Sequence, residues 1–187
     1  MQNLLIMTLL VVSSLSLSAK QVLLGPTLNS QEEIQEALID LEPGDVLTLE
    51  PGEYFFEDGI SLDVNDVIFE GSGIDDTILN FGDQISGAQG LLVTSDNVTL
   101  RDFAVLDAKG DAIKVIGADG INMIRLRTEW TGGPKATNGA YGFYPVESND
   151  VLIDGCVAIG ASDAGIYVGQ SQNIIVKNSV AQYNVAG

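Results

Sequence analysis

The chain opens on an almost unbroken apolar run, Leu4 to Val12, interrupted only by Thr8. Small and polar residues follow, through Ser13, Ser14, Ser16, Ser18 and Ala19. An apolar stretch of that length leading into small residues has the form of a cleavable export signal. It is too short to span a bilayer. We read residues 1–19 as a signal peptide, cleaved after Ser18 or Ala19, and 20–187 as the mature domain. The expected location is periplasmic or extracellular, with no membrane span after cleavage.

Ser30 followed by Glu33 predicts a capping box. Ile34, Ala37, Leu38 and Leu41 then recur at helical spacing and give one apolar stripe. Pro43-Gly44 ends this short helix. With a single greasy face it must lie against something, and the open end of a β-structure is the natural partner.

Beyond Gly44 the helical period disappears. Short apolar runs alternate with Gly, Asn and Asp. Four runs align: Asn97 to Leu100, Gly120 to Met123, Asp150 to Ile153 and Asn173 to Val176. Their starts lie 23, 30 and 23 residues apart. An earlier copy begins at Asp66. A second run recurs at a fixed offset, at Ile113-Lys114-Val115 and Ile166-Tyr167-Val168, with Tyr141 to Tyr144 as its counterpart in the longest copy. A unit this short cannot bury a face alone, so copies must stack, strand on like strand, at roughly 4.8 Å. Gly and Asn serve the corners that need positive φ. The pattern predicts an all-β chain, a right-handed parallel β-helix with an N-terminal capping helix. Val98, Ile121, Val151 and Ile174 should share one interior row. The last copy runs to Val185-Ala186-Gly187, the turn before its next strand, so we expect further C-terminal turns to be missing.

Charge narrows the chemistry. The formal net charge is −18, with no histidine and one cysteine. An acidic body repels nucleic acid. Without histidine there is no Ser-His-Asp triad, Cys-His pair or histidine-ligated zinc. Cys156, in an apolar strand, reads as a buried structural thiol. No cofactor is called for. Calcium is the one ion the acids could take, at Asp75-Asp76, Asp63 with Asp66, or Glu147 with Asp150.

Six of the eight basic residues fall between 101 and 135: Arg101, Lys109, Lys114, Arg125, Arg127 and Lys135. Strand alternation turns Lys114 outward between Ile113 and Val115. The same logic turns Tyr144 and Tyr167 outward. Lys114, Tyr144 and Tyr167 should form one exposed column on successive turns, with Tyr141 at the adjacent corner and Arg101 and Arg125 flanking. Tyrosines on a ridge suit sugar stacking, and Lys114 suits a carboxylate. Trp130, in an insertion ending at Gly139, is either a sugar platform or a wedge under its own loop.

Residues 30–187 resemble the pectate-lyase-like superfamily of right-handed parallel β-helix proteins. The stretches Asn138 to Val146 and Ser162 to Ser171 are similar to exported parallel β-helix repeat proteins of unestablished function. Tyr141-Gly142-Phe143-Tyr144-Pro145-Val146 also resembles a Tyr-Gly-Phe-Asp-Pro-His motif of alginate lyases and mannuronan epimerases. That likeness implies Tyr141 as a proton donor or acceptor; Lys114, placed on the outward column by strand alternation, is the basic neighbour that could act with it. The acid and histidine positions hold Tyr144 and Val146. The implied partner is a polysaccharide, with lyase- or epimerase-like activity. The alternative is a non-catalytic β-helix that binds a partner protein or glycan, or serves a structural role in the envelope.

Overall fold

The computed structural model describes residues 19–186. The expected signal segment lies outside the described residues except for Ala19. The body is a parallel β-helix, as the repeat predicts. Each coil contributes a strand to three sheets in turn. The first sheet holds β1 (Gln21–Leu24), β2 (Val46–Leu49), β5 (Ile68–Glu70), β8 (Thr99–Arg101), β11 (Asn122–Ile124), β14 (Leu152–Asp154) and β16 (Ile175–Lys177). The second holds β3 (Gly52–Phe55), β6 (Thr77–Asn80), β9 (Ala104–Leu106), β12 (Arg127–Glu129), β15 (Val157–Ile159) and β17 (Val180–Gln182). The third holds β4 (Ile60–Leu62), β7 (Gln89–Val93), β10 (Asp111–Ile116) and β13 (Phe143–Val146), and Ile166 and Gly169 extend it by single bridges. The strand pairs between coils are parallel.

The sequence reading names two strands per coil where the structure has three. The second-sheet strands of the later coils are three residues long, too short for alternation to stand out from a turn.

The interior is built from files of equivalent residues. Leu47, Phe69, Leu100, Met123 and Ile153 lie in register and are buried. Val98, Ile121 and Val151 form the neighbouring row, which Ile174 continues. Asn122, Leu152 and Ile175 each donate a backbone N–H to the carbonyl of the preceding member of that row. Corner residues reach left-handed φ: Asp66, Asn97, Asp150 and Asn173 at one corner, Asp102, Arg125 and Asn178 at the next. In the last described coil, the interior-facing Val168 and Val176 are 39% and 45% exposed.

Helix α1 (Ser30–Ile39) buries Ile34 and Leu38 against the first coil. The capping box is not formed. Asn29 is the N-cap, and Ser30 is already helical. The Ser30 hydroxyl instead turns back to the Thr27 backbone, and Glu33 accepts from the Thr27 hydroxyl at 2.9 Å. The local turn outcompetes the cap because both side chains find partners in it. Two glutamines of α1 satisfy the first coil's open backbone. Gln35 accepts from Ser61 N–H at 2.8 Å and donates to Ser61 C=O at 3.1 Å, as a neighbouring strand would. Gln31 Oε1 accepts from the N–H groups of Glu57 and Asp58. Gln35→Ala is expected to cost about 1 kcal/mol, the net worth of such bonds, in a urea titration. Unchanged stability would mean that water replaces the amide at no cost.

Candidate functional site

The third sheet carries the outward file that the sequence predicts. Leu92, Lys114 and Tyr144 are register partners on β7, β10 and β13. Tyr167 stands one coil further, beside the bridges at Ile166 and Gly169. Inward neighbours Ile113, Val115 and Phe143 are fully buried, so alternation leaves Lys114 and Tyr144 on the outside.

Three tyrosines close into one cluster. Tyr141 stacks on Tyr167 with ring centroids 4.6 Å apart and planes 13° apart. Tyr144 lies tilted to both, 4.7 Å from Tyr141 and 5.5 Å from Tyr167. The Lys114 ammonium sits 5.0 Å from the Tyr144 ring centroid, within cation–π range. Gly169 makes room beneath: a Cβ there would approach Tyr144 Cε2 to 3.2 Å.

Two carboxylates border the cluster, and sequence reasoning missed both as site residues. Asp163 accepts from the Tyr141 hydroxyl at 3.3 Å. Burial pushes the Asp111 carboxyl above its ordinary range, against the pull of Lys114 and the Tyr141 backbone N–H. The only signal in the sequence is their place at the entry to the third sheet, Asp111 as the first residue of β10 and Asp163 in the turn before Ile166. Tyr141 is raised by partial burial and then by Asp163, and Tyr144 by partial burial and then by Asp111. Both phenols therefore stay protonated at neutral pH. In that form each offers an O–H donor and an apolar ring face.

The expected flanking arginines are elsewhere. Arg101 ends a first-sheet strand and bonds Glu70, its register partner one coil back, through Nε at 2.7 Å. Arg125 stands at the corner between first and second sheets and grips Asp102 through two bonds of 2.7 and 2.6 Å. Stacking brings each arginine over an acid of the preceding coil, and that pairing consumes it. Lys109 and Lys135 are exposed in the segments that lead into the third sheet.

Trp130 is the wedge, not an open platform. It is 4% exposed, and its indole N–H donates to the Ala108 carbonyl at 2.7 Å. The insertion is tied down over it. Thr131 bonds Asp107 twice, and Asn138 donates to the carbonyls of Gly133 and Gly160. Three of the candidate calcium ligands are engaged in ladders between coils: Asp63 accepts from Thr94, Asp66 from Asn97, and Asp150 from Asn173. Among the described residues no three acidic, histidine or cysteine side chains are arranged to hold a metal ion.

No protein-family model and no curated protein matches the chain. Solved structures do. The chain is similar in fold to an alginate lyase. The alginate lyase from Paenibacillus sp. str. FPU-7 superposes with a TM-score of 0.63 at 15% identity, over 85% of this chain and 65% of that one. A pectin methylesterase mutant in complex with a hexasaccharide follows at a TM-score of 0.46 and 12% identity, covering 76% and 54%. The PL6 family alginate lyase AlyGC gives 0.43 and 16%, covering 91% and 29%. At such identities the likeness is one of fold, a parallel β-helix. The chain spans 65% of the length of the Paenibacillus enzyme.

Proposed function

We propose that this is an exported polysaccharide-binding β-helix whose third sheet is the glycan-facing surface. The observation that carries the reading is the packed group of Tyr141, Tyr144 and Tyr167 with Lys114 on one open face. Aromatic faces take the apolar faces of sugar rings, while phenol and ammonium donors meet hydroxyl or carboxylate oxygens. The fold shared with an alginate lyase supports a glycan as the partner class.

Binding fits this site better than elimination. A lyase or epimerase needs a base for the proton α to a carboxylate and a cation to hold that carboxylate. Lys114 could fill the second role. Tyr141 is held protonated, and the acid and histidine positions of the lyase motif hold Tyr144 and the nearly buried Val146.

The test is retention in native gels containing alginate, polygalacturonate, xylan or β-glucan, with and without calcium. Tyr144→Ala and Tyr167→Ala are each expected to weaken retention by roughly tenfold, about 1.4 kcal/mol. Equal retention of both variants would remove this face as the site. Ultraviolet absorbance of unsaturated uronate in the same samples reports elimination, and its growth would replace the binding reading by a lyase. Export is checked by N-terminal sequencing of the protein from a secreting host; an intact Met1 would refute cleavage.

A further inference from the structure

A buried charge sits at the start of the β-helix, far from the tyrosine cluster in sequence. Asp45 is 4% exposed, and among the described residues it is the one carboxylate as deeply placed as the core. Its two oxygens accept backbone N–H groups, from Lys20 at 2.6 Å and from Glu42 at 2.9 Å. The bonds from Glu42 and Lys20 hold the carboxyl below its ordinary range, against the burial that would raise it. Asp45 is therefore ionised at neutral pH. Among the described residues no lysine or arginine forms an ion pair with it. The Lys20 side chain attracts it only from a distance. A carboxylate taken out of water is ordinarily matched by a cation, and here that cation is lacking.

The surroundings fix the Lys20 nitrogen at this carboxylate. The Lys20 carbonyl accepts from Val46 N–H at 3.0 Å, next to the register pair of Gln21 and Val46. The Asp45 carbonyl accepts from Ile68 N–H at 3.1 Å, which ties the following coil to the same point. Gly44 donates its N–H to the Asp66 carbonyl at 2.7 Å. β1, β2 and β5 thus meet around Asp45, while Ala19 and Lys20 themselves are exposed. The sequence allows removal of the export signal after either Ser18 or Ala19, and the two products differ at the atom that Asp45 holds.

We propose that the export signal is removed between Ala19 and Lys20, and that the new α-ammonium of Lys20 pairs with Asp45 and locks the first coil. The proposal rests on the export reading above. Hydrolysis of that peptide bond takes up one water: its oxygen goes to the Ala19 carbonyl carbon, which leaves as a carboxylate, and its protons convert the amide nitrogen into an ammonium. The nitrogen already bonded to Asp45 becomes a cation without moving. The other two N–H bonds of that ammonium reach water, since Lys20 is exposed. Cleavage after Ser18 would leave an uncharged amide at this place. The buried anion gains its counter-ion only in the processed chain, so the mature protein is more stable than any form that carries residues ahead of Lys20.

The test compares two forms of the chain released from a fusion, one beginning at Lys20 and one at Ser18. The Lys20 form should melt about 3 °C higher. Asp45→Asn keeps the shape of the side chain but not its charge, and it should erase the difference between the two forms. If that variant does not fold, acetylation of the Lys20 α-amine does the same work, and should lower the melting temperature to that of the Ser18 form. Equal melting temperatures, or a difference that survives loss of either charge, would overturn the lock. These measurements do not depend on export. N-terminal sequencing of the protein from a secreting host should read Lys-Gln-Val-Leu. A start at Ala19 would overturn the cleavage assignment while leaving export standing. An intact Met1 would defeat the export reading and this proposal with it.

Discussion

Replacing Gly139 by alanine is expected to cost the β-helix roughly 3 kcal/mol, the upper range for forcing atoms into a filled interior. A Cβ at Gly139 would stand 1.6 Å from the Gly110 carbonyl oxygen and 2.7 Å from Trp130 Cζ2. Gly110 cannot yield, since its own missing Cβ would fall 1.8 Å from the Ala88 carbonyl oxygen. These three residues mark the corner before the third sheet on successive coils, and coil spacing there leaves no room for a methyl group. Ser162 donates its N–H to the Gly139 carbonyl at 2.9 Å, so a shift of Gly139 reaches the next coil as well. Gly117→Ala is the control. It has φ of +66° and open space around the added methyl, so it should lose only about 1 kcal/mol of left-handed strain. Urea unfolding read by the fluorescence of Trp130, the single and buried tryptophan, measures both. Similar midpoints for the two variants would mean that the coils are not stacked this closely. Gly139 also lies two residues before Tyr141, so its replacement should disturb the tyrosine cluster.

Alkali is expected to destabilise the protein over two overlapping pH windows set by two buried acids. Burial raises the Cys156 thiol from 9.0 to about 11. Burial, and then the nearby Glu50 charge, raises the Tyr54 phenol from 10.0 to about 12. In both groups the folded state holds its proton longer than the unfolded chain does. Their contributions are therefore complete below the unfolded values. They are lost as pH rises, between about 9 and 11 for the thiol and between about 10 and 12 for the phenol. Each two-unit shift corresponds to roughly 3 kcal/mol at its high-pH limit. Tyr54 is fully buried, and its hydroxyl donates to the carbonyls of Leu24 and Glu50 at 3.1 and 2.8 Å. Tyr54→Phe should cost about 1 kcal/mol at neutral pH through those lost bonds, while flattening the fall in stability between pH 10 and 12. Melting temperature followed across pH 7 to 12 gives the answer. A variant that declines as steeply as the parent would show that Tyr54 is not the titrating group.

Much of the architecture is legible in the residue pattern. Val98, Ile121, Val151 and Ile174 announce one row, because a stacked coil repeats its interior at a fixed interval and exchange of such residues for polar ones is costly. Lys114, Tyr144 and Tyr167 are equally legible, since alternation and register together place them on one file. The Ser30 cap failed because Thr27 offered nearer partners to Ser30 and Glu33. Trp130 shows the same limit from the other side: the insertion is visible in the repeat lengths, but whether its indole faces water depends on Ala108, a coil away in the sequence.

The residue order by itself determined the repeat, the interior rows and the outward tyrosine–lysine file, because these follow from short-range periodicity and a constant coil length. Only the tertiary structure decided which charges remain available. Arg101 and Arg125 are paired with Glu70 and Asp102, and Asp111 and Asp163 stand beside the tyrosines. Contacts between coils join residues 22 to 31 positions apart, and a side chain's partner at that separation is chosen by corner geometry and rotamer, which local sequence does not encode.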